Sequence, residues 1–296
     1  MEIVFLGTSC MMPTKERNHQ GIFISHKEEG LLVDCGEGIQ RQFRIAEIKP
    51  TKISVILISH WHGDHVLGLP GLLQTLNASG YEKKLKIIGP KGTKERFEFM
   101  FKAFSFTLGF EHEIKEVGGD SSIDLKDLVV GFLPLEHSVP CLGYTISEKD
   151  SRRIRVPFIK KLGIPDGPLL GNLQENKEIV WKGKKISPVD ATYVVKGKKV
   201  SIVLDTLLCN NAFLLAKDAD LLISEAVYVD ELYKKSEEYK HLTAKQAAEL
   251  ASKSNAKKLV LTHFSQRYKT SEQVLEEAKD VFSNVIAAHD FMKIKI

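Results

Sequence analysis

Cysteine is scarce in this chain. Cys10, Cys35, Cys141 and Cys209 are scattered over 296 residues with no CxxC pair, which argues against a disulfide framework. They read instead as reduced thiols of a reducing compartment. Long apolar runs are missing too: no window approaches the ~20 residues needed to span a bilayer, so no membrane role is expected. The opening Met1-Glu2-Ile3-Val4-Phe5-Leu6-Gly7 has no basic segment before its short apolar stretch and reads as a first strand rather than a signal peptide. Gly7-Thr8-Ser9 lacks the later glycines of a dinucleotide fingerprint and the lysine of a P-loop. No solenoid repeat or low-complexity tract is present. What remains, 43% hydrophobic and 27% charged residues, is the composition of a folded, soluble, cytoplasmic enzyme with ample core.

The most informative stretch is His60-Trp61-His62-Gly63-Asp64-His65, directly after the apolar run Ser54-Val55-Ile56-Leu57-Ile58-Ser59. β-branched and aliphatic residues ending abruptly in polar ones predict a buried strand running into a loop. Imidazole and carboxylate donors suit Zn²⁺, and Mn²⁺ or Fe²⁺ are compatible with the same atoms. One cation takes about four ligands, and adjacent residues cannot all face one ion, so the crowding suggests two cations sharing the loop. Further donors recur at strand ends: Asp34 after Gly30–Val33, His137 after Val129–Glu136, Asp205 after Val200–Leu204 and His263 after Lys258–Thr262. Each alone is weak, because a His or Asp after a strand is commonly a cap or turn residue. Their repetition at the carboxyl ends of several strands is the pattern of an α/β site.

The coarse pattern alternates β and α. Strands are expected at Glu2–Leu6, Gly21–Ser25, Val55–Ser59, Leu85–Ile88 and Asp220–Ser224, and helices at Gly38–Ile45, Val66–Ala78, Lys91–Ala103 and Ser271–Val281. Thr243 followed three residues on by Gln246 predicts a capping box. The charge is unevenly spread. Between Ser151 and Lys199 twelve Lys or Arg face four acids, a net +8 that leaves −4 for the rest of a +4 chain. Such a segment suits a polyanion, because phosphate contacts release condensed counterions. Gly163-Ile164-Pro165-Asp166-Gly167-Pro168 adds a stiff, turn-prone stretch, and a protruding basic arm is expected there.

The His60–His65 motif followed by His137, Asp205 and His263 resembles the metallo-β-lactamase superfamily. Within it the chain is similar to the ribonuclease Z family, endonucleases that remove 3′ trailers from precursor tRNA. The narrower resemblance rests on Pro13-Thr14-Lys15-Glu16-Arg17-Asn18, Asp34-Cys35-Gly36-Glu37-Gly38, His137 to Tyr144, Glu225-Ala226, His241-Leu242-Thr243-Ala244 and Thr262 to Tyr268. It implies an α/β fold, an αβ/βα sandwich formed as a single domain over 1–296, with an exosite arm at about 150–188 and Gly167-Pro168 at the arm's core. It also implies two Zn²⁺ per subunit, one held by His60, His62 and His137, the other by Asp64, His65 and His263, with Asp205 bridging. Asp64 would also orient the attacking water, His241 would be the general acid and Glu225 would hold its ring. Arg17, Asn18, Arg267 and Tyr268 would lie near the scissile end of the RNA, and the family's habit implies a homodimer.

The chain departs from the family pattern at Leu204, Ser224, Leu242 and Trp61, none of them a proposed ligand, acid or acid partner. Trp61 reads as packing beneath the metal loop more than as a stacking platform. Two other classes stay open at this point: a dinuclear hydrolase of small substrates, which needs no basic arm, and a nucleic-acid-binding protein that keeps the fold without catalysis.

Overall fold

The structure is a computed structural model that describes residues 1–296. The chain divides into two compact units, Met1–Ile146 with Lys199–Ile296, and Ser147–Lys198.

The larger unit is built from two seven-stranded sheets. The first runs in the order Lys293–Lys295, Glu2–Gly7, Gly21–His26, Glu29–Val33, Val55–Leu57, Leu85–Pro90, His112–Val117. Its pairing is antiparallel up to Glu29–Val33 and parallel beyond it. The second runs Val285–Ala287, Leu259–Thr262, Leu221–Glu225, Lys199–Val203, Cys141–Glu148, Leu128–Leu135, Ser121–Asp124, and its first four strands are parallel.

The two-residue period of a strand sorts side chains into layers. Ile3 and Phe5 join Ile22, Ile24, Phe132, Tyr144, Ile202 and Val260 in the core between the sheets. Val4 and Leu6, one step out of phase, pack outward with Phe23 and Ile56 against Ile39 and Phe43 of the helix Ile39–Ile45. Leu69, Leu72, Leu73 and Leu76 of Leu69–Ala78 complete that outer layer, at the spacing of one helical face. Across the molecule Val203, Leu222 and Leu261 pack on Ala212 and Leu215 of Asn210–Ala216 and on Ala247, Leu250 and Ala251 of Ala244–Lys253. Four layers result, helix–sheet–sheet–helix, the αβ/βα sandwich. The capping box is present: Gln246 N–H donates to Thr243 Oγ1 at 3.2 Å and Thr243 N–H to Gln246 Oε1 at 2.9 Å. The helix expected to open at Val66 starts instead at Leu69, with Pro70 in its first turn and a short separate helix, Gly63–Val66, ahead of it.

A side-chain hydrogen bond ties the core to the segment leading into His60–His65. The fully buried Tyr144 donates its hydroxyl to the carbonyl of Ile58 at 2.6 Å. Tyr144→Phe leaves that carbonyl without its partner, and a fall of about 1–3 kcal/mol in unfolding free energy is expected in urea titration.

The smaller unit is a folded module rather than a bare loop. Ser151–Ile154 pairs antiparallel with Thr192–Val195, and Ile179–Trp181 with Lys184–Ile186. Two short helices, Val156–Leu162 and Pro168–Gln174, lie between them in sequence. Ile159, Ile164, Leu173, Ile179, Ile186 and Ala191 form its own small core. Gly163 ends the first helix at φ 64°, in the left-handed region that favours glycine. Gly167 and Pro168 are both exposed.

Candidate metal centre

Strands of both sheets deliver the donors to one sheet edge. His60 follows Val55–Leu57, His62 caps the helix Gly63–Val66, and Asp64 and His65 lie within it. Asp205 and His263 close Lys199–Val203 and Leu259–Thr262. Asp34, Asp205 and His263 all leave their strands with positive φ, at 58°, 29° and 59°. Non-glycine residues held there cost free energy and persist where surrounding structure imposes them. Here the turn is what swings each side chain toward a common centre.

The donors fall into two sets sharing one carboxylate. Asp205 Oδ2 lies 3.6 Å from His60 Nε2 and 3.9 Å from His137 Nε2. His62 Nδ1 is 2.9 Å from His60 Nε2 and 3.3 Å from His137 Nε2. Asp205 Oδ1 turns the other way, 3.6 Å from His65 Nε2 and 3.3 Å from His263 Nδ1. Asp64 Oδ2 stands 3.4 Å from His65 Nε2 and 3.4 Å from His263 Nε2. Outer contacts hold these rings in place. His65 Nδ1 is 2.6 Å from Asp34 Oδ2, and Asp34 in turn accepts from Ser59 N–H and Ser59 Oγ, both at 2.7 Å. His137 Nδ1 lies 3.0 Å from the carbonyl of Lys240. Such partners fix which nitrogen points at a cation. Asp34 is therefore an orienter, as its place one step behind the ligands suggests.

These residues fit a cation on observations of the chain itself. His65 Nε2, His263 Nδ1 and Asp205 Oδ1 are buried and have no hydrogen-bond partner, an arrangement that is expensive unless something else satisfies it. The electrostatics agree. Burial, assisted by neighbouring imidazoles, pushes His60 well below the ordinary histidine range and outweighs Asp205. Burial also lowers His62 and His137, leaving all three neutral as ligands must be. Burial works to raise Asp205 and Asp64, but the surrounding histidines prevail and keep both ionised. His65 and His263 show the opposite balance: burial lowers them, and the carboxylates around them, chiefly Asp205, carry both upward. The carboxylates, with the Cys10 thiol beside His263, favour the protonated rings, and a divalent cation would take the place of those protons.

Beside this cluster stands an imidazole–carboxylate pair. His241 Nδ1 lies 3.0 Å from Glu225 Oε2, and Glu225 Oε1, fully buried, accepts the N–H of Thr206 at 2.7 Å. Burial lowers the His241 pKa, but Glu225 and then Asp205 overcome it and the net shift is upward. A pocket of about 200 Å³ is lined by His62, Asp64, His137, Asp205 and His241 together with Met11 and Tyr239.

The expected RNA-contacting residues divide. Arg267 is exposed and its guanidinium lies 4.9 Å from the Tyr228 ring. Arg17, Asn18 and Tyr268 spend polar groups on the protein itself, Arg17 and Tyr268 being buried and Asn18 half-buried. Arg17 is 8% exposed and donates through Nη2 to the carbonyls of Ser265 and Tyr268 at 3.3 and 2.6 Å. Asn18 donates its N–H to Asp290 Oδ2 at 2.7 Å and its side-chain amide to the carbonyl of Glu37 at 2.8 Å. Tyr268 is 8% exposed and its hydroxyl accepts from Val229 N–H at 2.9 Å. These three brace the loops around the cluster. Trp61 packs against the outer core and donates to Thr93 Oγ1 at 2.8 Å, the packing role expected of it.

The sequence reading missed two contributors. The N–H of Met11, at φ 45°, donates to Asp64 Oδ2 at 2.8 Å, and Cys10 lies beside Asp64 and His263. No side-chain pattern announces a main-chain donor, and Cys10 is far in sequence from both partners.

Fold and donors together define the class: a hydrolase of the metallo-β-lactamase fold with a divalent-metal site at one sheet edge. Comparison with known proteins narrows this. Ribonuclease Z of Methanothermobacter thermautotrophicus is 39% identical over 297 residues, covering 100% of this chain and 97% of that protein. Ribonuclease Z of Methanosarcina acetivorans is 38% identical, with 100% and 98% covered. The crystal structure of human tRNase Z, short form, superposes with a TM-score of 0.74 at 28% identity, covering 100% of this chain and 99% of that one. A family profile described as anti-Pycsar protein Apyc1 matches residues 1–100, the third of the chain that carries His60 to His65. The chain belongs to the ribonuclease Z family.

Proposed function

We propose that this chain is the endoribonuclease that removes the 3′ trailer from precursor tRNA, leaving a 3′-hydroxyl on the tRNA, and that it does so with two zinc ions per subunit. His60, His62 and His137 would hold one ion, Asp64, His65 and His263 the other, and Asp205 both. The carrying observation is the division of Asp205, one carboxylate oxygen to each histidine set. When bound, a pair of divalent cations supplies a nucleophile from water at neutral pH and clamps the attacking and leaving oxygens of a phosphodiester.

The chain's own groups supply the rest. Asp64, ionised and held by the Met11 N–H, orients the water. The departing 3′ oxygen needs a proton, because an alkoxide is a poor leaving group, and His241 provides it. Its Nδ1 is anchored on Glu225, which favours the charged ring and leaves Nε2 as the donor. Zinc fits a histidine-rich set with an open position, and the same donors admit Mn²⁺ or Fe²⁺. Reduced cysteines support a cytoplasmic setting, and no helix is long and apolar enough to cross a membrane.

Substrate binding is assigned to the basic segment of about 150–188, centred on Gly167 and Pro168, which engages the tRNA body through phosphates and shape rather than base sequence. Arg267, exposed beside ligand His263, is the proposed contact near the scissile end. The enzyme is proposed to act as a homodimer in which one subunit's arm serves the other's metal centre. Deleting the arm should abolish cleavage of a 3′-extended precursor while hydrolysis of a small phosphodiester persists. Mixing the arm deletion with full-length His241→Ala protein should restore precursor cleavage. Precursor cleavage that survives the deletion would remove the arm from the account, and mixtures that stay inactive would remove the shared-subunit arrangement.

A further inference from the structure

Cys10 is the one cysteine whose sulfur enters the metal centre. Residues 8 to 10 run alongside His263 and Phe264: Ser9 bridges Phe264, Cys10 N–H donates to the carbonyl of Phe264 at 3.0 Å, and Phe264 N–H donates to that of Thr8 at 2.8 Å. This short ladder fixes the Cys10 backbone beside the ligand-bearing turn. Its side chain is 7% exposed, and its sulfur, an Asp64 carboxylate oxygen and a His263 ring nitrogen all lie within 4.8 Å of one another. Independently, His65 Nε2, 3.4 Å from that same Asp64, and His263 Nδ1 and Asp205 Oδ1, 3.3 Å apart, are buried with no hydrogen-bond partner. The other thiols are directed elsewhere. Cys141 donates to the main-chain carbonyl of Asp205 at 3.4 Å, Cys209 lies 3.7 Å from Thr206 Oγ1, and Cys35 joins the outer core.

We infer that Cys10 is a sulfur donor to the cation held by Asp64, His65 and His263, an inference that rests on the two-cation reading above. Binding forms a sulfur–metal bond, the thiol proton leaves to solvent, and no oxidation state changes. With Asp205 the position then offers five donors, a number zinc accommodates. The two positions become chemically unlike: one all nitrogen and carboxylate, the other carrying a soft thiolate. Soft ligands favour zinc-like cations over manganese, so the second position should select its cation more narrowly than the first.

The test loads the purified full-length protein with Co²⁺, counts bound cobalt by elemental analysis and records the near-ultraviolet spectrum. X-ray absorption on the zinc-loaded protein is measured in parallel. Cys10 coordination predicts a thiolate-to-cobalt charge-transfer band in wild type and Cys209→Ala, absent in Cys10→Ala and Cys10→Ser, and a zinc–sulfur distance of about 2.3 Å. Cobalt bound at both positions without the band, or a band that survives Cys10→Ala, overturns the inference and leaves the two-cation reading intact. A chain that binds no cobalt or zinc overturns both. Should the Cys10 variants fail to fold, the presence or absence of zinc–sulfur scattering in wild type decides alone.

Discussion

Asp205→Ala is expected to empty the centre and reduce cleavage to background. The two oxygens of this carboxylate serve different histidine sets, so its loss removes a ligand from each position at once. It also takes away the leading partner that raises His65 and His263 and the main attraction opposing burial at His62 and His137. Elemental analysis should fall from about two cations per chain towards none. Circular dichroism should still report a folded protein, because the cores between and outside the sheets do not include Asp205. His62→Ala, which touches only one set, should retain the other cation. Equal metal loss from the two variants would mean that Asp205 is not shared.

His241→Ala is expected to lower kcat by roughly 10²–10⁴, the usual worth of a positioned acid, with metal content and KM little changed. The ring stands outside both proposed ligand sets, 3.8 Å from Asp205 Oδ2, and is tied by Nδ1 to Glu225. Glu225→Gln keeps the side-chain shape while removing the charge that lifts His241, so it should lower kcat by a smaller factor. Added imidazole should restore part of the His241→Ala activity and none of the Asp205→Ala activity. Single-turnover cleavage of a 3′-extended precursor reads both. A His241→Ala enzyme with unchanged kcat would assign the leaving-group proton to another group.

Much of the centre is legible in the sequence. An apolar run stopping dead at His60 predicts a buried strand that opens into donors, and the two-residue period that splits Ile3 and Phe5 from Val4 and Leu6 sets which faces are covered. Asp205 and His263 were visible for the same reason, each standing where an aliphatic run ends. Contacts made by main-chain atoms were not legible. The Lys240 carbonyl behind His137 and the Met11 N–H on Asp64 carry no residue-type signature. Burial of flanking residues was also hidden. Arg17 and Tyr268 sit near ligands or their loops, which suggested substrate contact, yet their polar groups meet main-chain atoms in the interior. The basic segment reads as an arm because charge and the Gly-Pro stretch dominate its pattern. Ile159, Ile164, Leu173, Ile179 and Ile186 nevertheless make a core of their own.

The most direct test is end-mapping of a 3′-extended precursor tRNA incubated with the zinc-loaded wild-type protein. The account predicts a single cut at the base of the acceptor stem, leaving a 3′-hydroxyl on the tRNA, with the reaction abolished by chelator and restored by zinc. An intact precursor, beside rapid zinc-dependent turnover of a small phosphodiester, would contradict it: the fold and the metal centre would stand, and the assignment of tRNA as substrate would fall.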